Sequence, residues 1–456
     1  MNTIKQTLNK SRRNFLRVGA AGAGALALGA LDSRVSPLSA KPAKAAALPA
    51  HKRLIVINML GGNDGLNTVF PVTGSVASIY QANRPTIGYT PGQGLSLTGG
   101  PGVSAYEIHP SLVNIQSLWN QGDAAFVHKV GYPSQNLSHF VSEDIWSYGA
   151  RNGLASLPSM APGWLARFGN NHAPTSMGLV SIGVGRRLDF EGSTANPFLV
   201  NSVSSFAYDT DWHYSNNHTL RKEVAQNILS MQPATGLRGE IASAAEAAYN
   251  AAAQVGVAAT DYATYETTNS IQYPLRPGST TSLTNMGRRM RDISLLIYGG
   301  FDTSVFYTGI GGFDTHSDQA ARHAQLLQEI DDAIGVFYQD ISIQDAAFGT
   351  ASDRIWPNLT IVIISEFGRR NYENGSDGTD HGHGSCVTVL GGPVNGGIYG
   401  DSLLDADLNA EYLPYTTDFR DIYRSLLGAN HMGLNTTELA AIFPEAQPIN
   451  TTINVV

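Results

Sequence analysis

The sequence predicts an α/β fold, a doubly wound and mostly parallel sheet with helices on both faces. Three observations point there. Short, wholly apolar runs recur along the chain, as strands buried on both faces require. Helix-length stretches alternate with them. Loops rich in Gly, Asn, Asp and His follow several of the apolar runs, where open α/β sheets place their ligands. A chain of 456 residues that is 42% hydrophobic and 14% charged can bury the core such a sheet needs.

Residues 1–45 read as an address. Arg12 and Arg13 precede Phe15 and Leu16 and a weakly apolar run rich in Ala and Gly, the pattern of a twin-arginine export signal, with cleavage expected between Ala40 and Ala47. The apolar run is too short and too glycine-rich for a stable membrane span. The expected partner during export is the twin-arginine translocase, and the expected destination is the periplasm or the medium. A single cysteine, Cys386, excludes an intrachain disulfide and reads as a core residue within an apolar run. The net charge of -8 combines this basic leader, with eight Lys and Arg against one acid, and a more strongly acidic body. An acidic body argues against nucleic acid or an anionic membrane as a partner.

The body, from residue 51 on, is expected to be one domain. "RLIVINML" (53–60) is the first buried strand, and "AAFVHKV" (124–130) the second. Between them, residues 82–108 are rich in Gly, Pro and Thr and look like an insertion. "MGLVSIGVG" (177–185) is the third strand; 186–280 is a candidate cap insertion, helical over about 220–265. A helix over 284–298 leads to the strand "SVFYTG" (304–309), and a helix over 319–339 follows. "LTIVIIS" (359–365) is the clearest buried strand, "CVTVLGG" (386–392) another, and "TTDFRDIYRSLLGA" (416–429) a capped late helix.

The chemistry gathers where strands end. Asp64 follows the first strand, Ser138 the second at a helix start, Asp314 and His316 follow "SVFYTG", and Glu366 follows the clearest strand. Asp380, His381 and His383 lie in the glycine-rich "GTDHGHG" just before the next strand. Carboxylates and neutral imidazoles suit one or two divalent ions: Zn²⁺, Mn²⁺, Mg²⁺ or Ca²⁺. A serine beside such an ion can act as nucleophile on a phosphate or sulfate ester, and Arg369 could hold a remaining ester oxygen. The bland alternatives are a turn residue at Asp64, a helix cap at Ser138, and an ion pair with a neighbouring arginine at Glu366.

The leader together with "MLGGNDGLNT", "VGYPSQNLSHF", "GGFDTHSD", "SEFGRR", "GTDHGHG" and "TTDFRDIY" resembles the domain-of-unknown-function-1501 family over nearly the whole body. That family is similar in pattern to the alkaline phosphatase-like superfamily of phosphatases, sulfatases and cofactor-independent phosphoglycerate mutases. The resemblance implies an alkaline phosphatase-like fold. It also implies an aspartate after the first strand (Asp64), a nucleophile at a helix start (Ser138), an Asp/His pair (Asp314, His316), an acid after the central strand (Glu366) and a late histidine (His383 or His381). Where the superfamily shows Asp-His after the central strand, this chain has Glu366-Phe367, and a phenyl ring binds no metal. Two functions follow as expectations: an exported metal-dependent hydrolase acting on a small-molecule or polymer ester, or a non-catalytic secreted protein that keeps the fold and binds polysaccharide or a partner. A metal-free serine esterase ranks below both, because the chain lacks the G-x-S-x-G elbow.

Overall fold

The computed structural model describes residues 52–99, 102–149, 162–173, 177–185, 187–191, 197–203, 206, 218–232, 236–347, 353–444 and 453–456. The expected export signal and the expected cleavage site lie outside the described residues. None of the described helices is long and apolar enough to cross a membrane.

The strands, in chain order, are β1 (Arg53–Leu60), β2 (Val69–Pro71), β3 (Leu95–Ser96), β4 (Tyr106–Ile108), β5 (Ala124–Gly131), β6 (Leu179–Ile182), β7 (Phe198–Val200), β8 (Val305–Gly311), β9 (Leu359–Ile364), β10 (Ser385–Gly391), β11 (Gly397–Tyr399) and β12 (Thr417–Asp418). Nine of them form the main sheet in the order β11-β5-β10-β9-β1-β8-β6-β7, with β12 also on β5. Its pairings are parallel except those of β10, which runs antiparallel to both β9 and β5. The exception has a simple cause. After β9 the chain makes a long excursion over residues 365–384 at the carboxyl end of the sheet and returns directly beside β9, with no crossover helix to carry it to the other end.

Alternation along the central strand builds two cores. Ile55, Ile57 and Met59 face one side with Phe306, Ile361 and Ile363, under the helices Val113–Gln121, Asn285–Tyr298 and Gln319–Asp345. Leu54 and Val56 face the other with Val305, Tyr307, Val362 and Ile364, under the helices His139–Tyr148, Trp164–His172, Phe419–Leu427 and Thr436–Ile442. With both faces covered, the strands carry no polar alternation, which is why they read as continuous apolar runs.

The stretch 82–108, read above as an insertion, contributes β3 and β4, which join β2 in a small antiparallel sheet. Within 186–280 the chain forms the helices His218–Ser230 and Gly236–Thr268. The end of the latter is stitched to the first core through buried Asp340, which accepts hydrogen bonds from Tyr262, Tyr265 (3.1 Å), Tyr273 (2.9 Å) and Ser294 (2.6 Å).

Because β10 is antiparallel, four segments meet at one end of the sheet: those after β1, β5 and β8, and the one that joins β9 to β10. All the residues singled out above sit on them.

Candidate metal centre

The segment after β8 turns sharply at Gly312 (φ +115°) and presents Asp314, whose carboxylate is about half exposed at 48%. The first strand's loop makes room for it. Gly61 lies so close that a Cβ there would sit 2.4 Å from the Asp314 amide nitrogen, which no side chain tolerates. Around Asp314 Oδ1 stand Nη2 of Arg369 at 2.7 Å, Nε2 of His316 at 3.0 Å, Nε2 of His381 at 3.1 Å and Nε2 of His139 at 3.6 Å.

Each imidazole is held from behind. His381 Nδ1 lies 2.7 Å from the Leu137 carbonyl, His139 Nδ1 lies 2.8 Å from Glu366 Oε1, and His316 Nδ1 lies 3.0 Å from Asp380 Oδ1. A carbonyl can only accept, so His381 carries its proton on Nδ1, and the two carboxylates favour the same tautomer in the other rings. The three Nε2 atoms are then bare lone pairs aimed at one carboxylate oxygen. His316 Nε2 and His381 Nε2 are only 3.1 Å apart, and His139 Nε2 is buried without a hydrogen-bond partner. A bound cation, or a proton on one of the rings, would relieve acceptors facing acceptors at these distances. The ligand atoms of His139, Asp314 and His381 lie within 4.8 Å of one another. His316 Nε2 stands beside this group, 3.0 Å from Asp314 Oδ1, and with the far ring nitrogens anchored the donors fit a divalent ion.

The electrostatics follow from these contacts. Burial pushes the Asp314 carboxyl up, but the Arg369 guanidinium, which donates to it, prevails and holds it down at about 2. The hydrogen bond to Glu366 raises His139 above the ordinary imidazole value against the effect of burial, while burial lowers His381.

The structure thus brings Asp314, His316 and His381 together as the sequence led one to expect, and adds His139. Four expected residues take other positions. Asp64 is buried, caps the short helix Gly65–Thr68 and is paired with Arg84 Nη1 at 2.5 Å and with the Gln319 amide at 2.5 Å. Burial opposes its ionisation, yet the Arg84 and His323 charges leave its carboxyl below the usual range. The bland reading made it a turn residue; the structure makes it a helix cap and one half of a buried ion pair, with an arginine beside it where an ion was expected. Glu366 has no oxygen to spare: Oε1 accepts from the Gly61 amide (2.8 Å) and faces His139, and Oε2 accepts from Ser365 (3.1 Å). It orients a ligand and is not itself placed as one.

Arg369, expected on the ester, is buried. It donates to the carbonyls of Gly61, Gly62, Thr379 and Phe313 and to Asp314, so it tethers Asp314 and closes the loops beneath it. His383 stacks on Tyr412 with ring centroids 4.4 Å apart and joins none of these contacts. Ser138 occupies the N-cap position of the helix His139–Tyr148, half-buried, and its hydroxyl makes no capping hydrogen bond. Phe367 lies against both His139 and His381, at 4.9 Å from each ring.

Fold and site together define an α/β protein with a histidine-rich carboxylate centre at the carboxyl edge of its sheet. The chain belongs to the family described as protein of unknown function (DUF1501), whose pattern matches residues 51–445. No curated protein matches it. Among solved structures it is similar to the lipoteichoic acid synthase LtaP from Listeria monocytogenes, at 8% identity and a TM-score of 0.33, over 92% of this chain and 78% of that one. It is similar as well to an alkaline phosphatase from the Antarctic bacterium TAB5, at 9% identity and a TM-score of 0.29, over 77% and 94%. A third is a protein in the alkaline phosphatase superfamily from Vibrio parahaemolyticus, at 8% and 0.33, over 96% and 79%. A likeness this loose brings no residue and no activity across.

Proposed function

We propose that the protein is an exported, metal-dependent hydrolase of phosphate or sulfate esters, with Ser138 as its nucleophile. The observation that carries this is the convergence of His139, His316 and His381 on Asp314, next in the chain to a serine whose hydroxyl is not spent on its own helix. A divalent ion bound there supplies charge to polarise an ester oxygen and to ease ionisation of a nearby hydroxyl. The chain does the rest. Ser138 stands at the N-terminus of a ten-residue helix, whose dipole favours negative charge at that point. Its Oγ forms a bond to phosphorus or sulfur while the bond to the alcohol oxygen breaks, and the serine proton leaves with the alcohol. Water then cleaves the seryl ester, releasing phosphate or sulfate and restoring the hydroxyl. Arg369 and Glu366 hold Asp314 and His139 in place throughout. Aryl phosphate and sulfate esters assayed with mature protein test the reading: turnover falls on the order of 10³-fold or more in Ser138→Ala. Turnover that survives in Ser138→Ala removes the serine from the chemistry.

A specific observation favours the second reading, a non-catalytic protein that binds polysaccharide or a partner. The arginine expected to hold an ester oxygen is buried under five acceptors, and a phenyl ring, Phe367, stands where the superfamily pattern has a histidine. Metal bound without turnover of any ester would establish it.

A further inference from the structure

We infer that the centre is built for a single transition-metal ion, with His139 as its third imidazole ligand beside His316, His381 and Asp314. This rests on the metal half of the reading above and not on its chemistry. The argument for His139 is geometric. Its Nε2 is buried, has no hydrogen-bond partner and points toward the Asp314 oxygen that His316 and His381 also face. Its Nδ1 is fixed by Glu366, whose carboxylate is itself held by the Gly61 amide and Ser365. A ring so anchored has given up its freedom to aim one lone pair.

The argument for one ion is that the carboxylates a second site needs are committed elsewhere. Asp64 is closed by Arg84 and Gln319, Glu366 serves His139, and Asp380 serves His316 while also receiving the Asn374 amide at 3.3 Å. Phe367 packs its ring against both His139 and His381, 4.9 Å from each, and offers no ligand there.

The class of ion follows from the donors. Three imidazole nitrogens to one carboxylate oxygen suit Mn²⁺, Fe²⁺, Co²⁺ or Zn²⁺. Mg²⁺ and Ca²⁺ prefer shells made of oxygen. The spare carboxylates are used as acceptors for Nδ1–H, the arrangement that raises the basicity of a metal-bound imidazole.

The test is titration of metal-stripped mature protein with Co²⁺, followed by calorimetry and by visible absorption. About one Co²⁺ per chain is expected. In His139→Ala the affinity falls at least about 100-fold and the visible spectrum changes, because the loss of a ligand exceeds the ~10–100-fold typical of an outer partner. His383→Ala, outside the cluster, leaves both unchanged. Equimolar Mg²⁺ or Ca²⁺ does not displace Co²⁺. If His139→Ala does not fold, His139→Gln, which keeps the bulk, is read with the same expectations. Two ions of similar affinity, an unaltered spectrum in the His139 variant, or displacement by Mg²⁺ or Ca²⁺ would each overturn the inference. Ester turnover is separate: an inert protein that binds one Co²⁺ through His139 loses the hydrolase reading and keeps this one, and an active protein whose His139 variant binds as before does the reverse.

Discussion

Replacing Arg84 by methionine separates the two roles open to Asp64. Arg84 is fully buried and spends its guanidinium on four partners: Asp64 Oδ2 at 2.5 Å, Asn67 Oδ1 at 2.8 Å, and the carbonyls of Asn371 at 3.0 Å and Arg370 at 2.7 Å. Methionine fills much of the volume and offers none of these bonds. Asp64, 1% exposed, is left as a buried carboxylate with only Gln319 and the Asn67 amide. Breaking a buried ion pair from one side costs about 3–5 kcal/mol. With an unfolding entropy of about 2 cal/mol/K per residue over the roughly 350 described residues, that lowers Tm by about 4–7 °C. The double variant Asp64→Asn/Arg84→Met removes both charges and recovers a substantial part of the loss. Calorimetric melts of the four proteins measure this, and Co²⁺ titration of the same samples stays at the wild-type affinity. A melt of Arg84→Met within about 1 kcal/mol of wild type, or loss of metal from Asp64→Asn in a protein that melts normally, would refute the structural role of Asp64.

Acidification probes the buried histidines. Burial lowers His109 to about 3 and His128, His323 and His431 to about 4, while in the unfolded chain each titrates near 6.5. The unfolded state therefore binds more protons between pH 6.5 and 4. Stability is full above pH 6.5 and falls below it, by up to about 1.4 kcal/mol per pH unit for each histidine, as urea titrations across that window will show. Asp340→Ala strips the acceptor from Tyr262, Tyr273 and Ser294 at once; at about 1–3 kcal/mol per orphaned buried donor, denaturant midpoints drop clearly, and hydrogen exchange speeds first in Gly236–Thr268. Phe367→Ala costs about 3–5 kcal/mol in the same denaturation assay, and it weakens Co²⁺ binding because the ring supports both His139 and His381.

Much of the fold is legible because the main strands are buried on both faces. The apolar runs at 53–60, 124–130, 304–309, 359–365 and 386–392 all coincide with strands of the main sheet, and the helix expected over 284–298 begins one residue later, with Thr284 accepting the Gly287 amide as its cap. What local pattern does not encode is direction. Nothing in "CVTVLGG" marks β10 as antiparallel; that depends on residues 365–384 staying at one end of the sheet. The short strands β2, β3 and β4 escaped notice because two or three residues leave no periodicity to read.

The site is legible as a region and less so as a set of ligands, for a physical reason. A carboxylate after a buried strand is a candidate ligand only if no cation or amide reaches it first, and those competitors are remote in sequence. Arg84 is 20 residues from Asp64 and Gln319 is 255, so a turn-like "GGNDG" carries no sign that its aspartate will be closed off. Glu366 is claimed by the Gly61 amide, 305 residues away. The histidines divide by the same logic. His381 and His383 are two apart and share a face in an extended strand, but each flanking glycine is pressed against other backbone. A Cβ on Gly382 would lie 2.3 Å from Arg369, and one on Gly384 would lie 2.8 Å from the Pro414 carbonyl. The chain bends there, sending His381 to Asp314 and His383 to Tyr412. His139 carried one local signal: it opens a helix immediately after the loop that leaves β5, beside the serine already singled out. The residues free to bind an ion are those whose far side is held and whose near side is not, and that asymmetry exists only once the four segments meet.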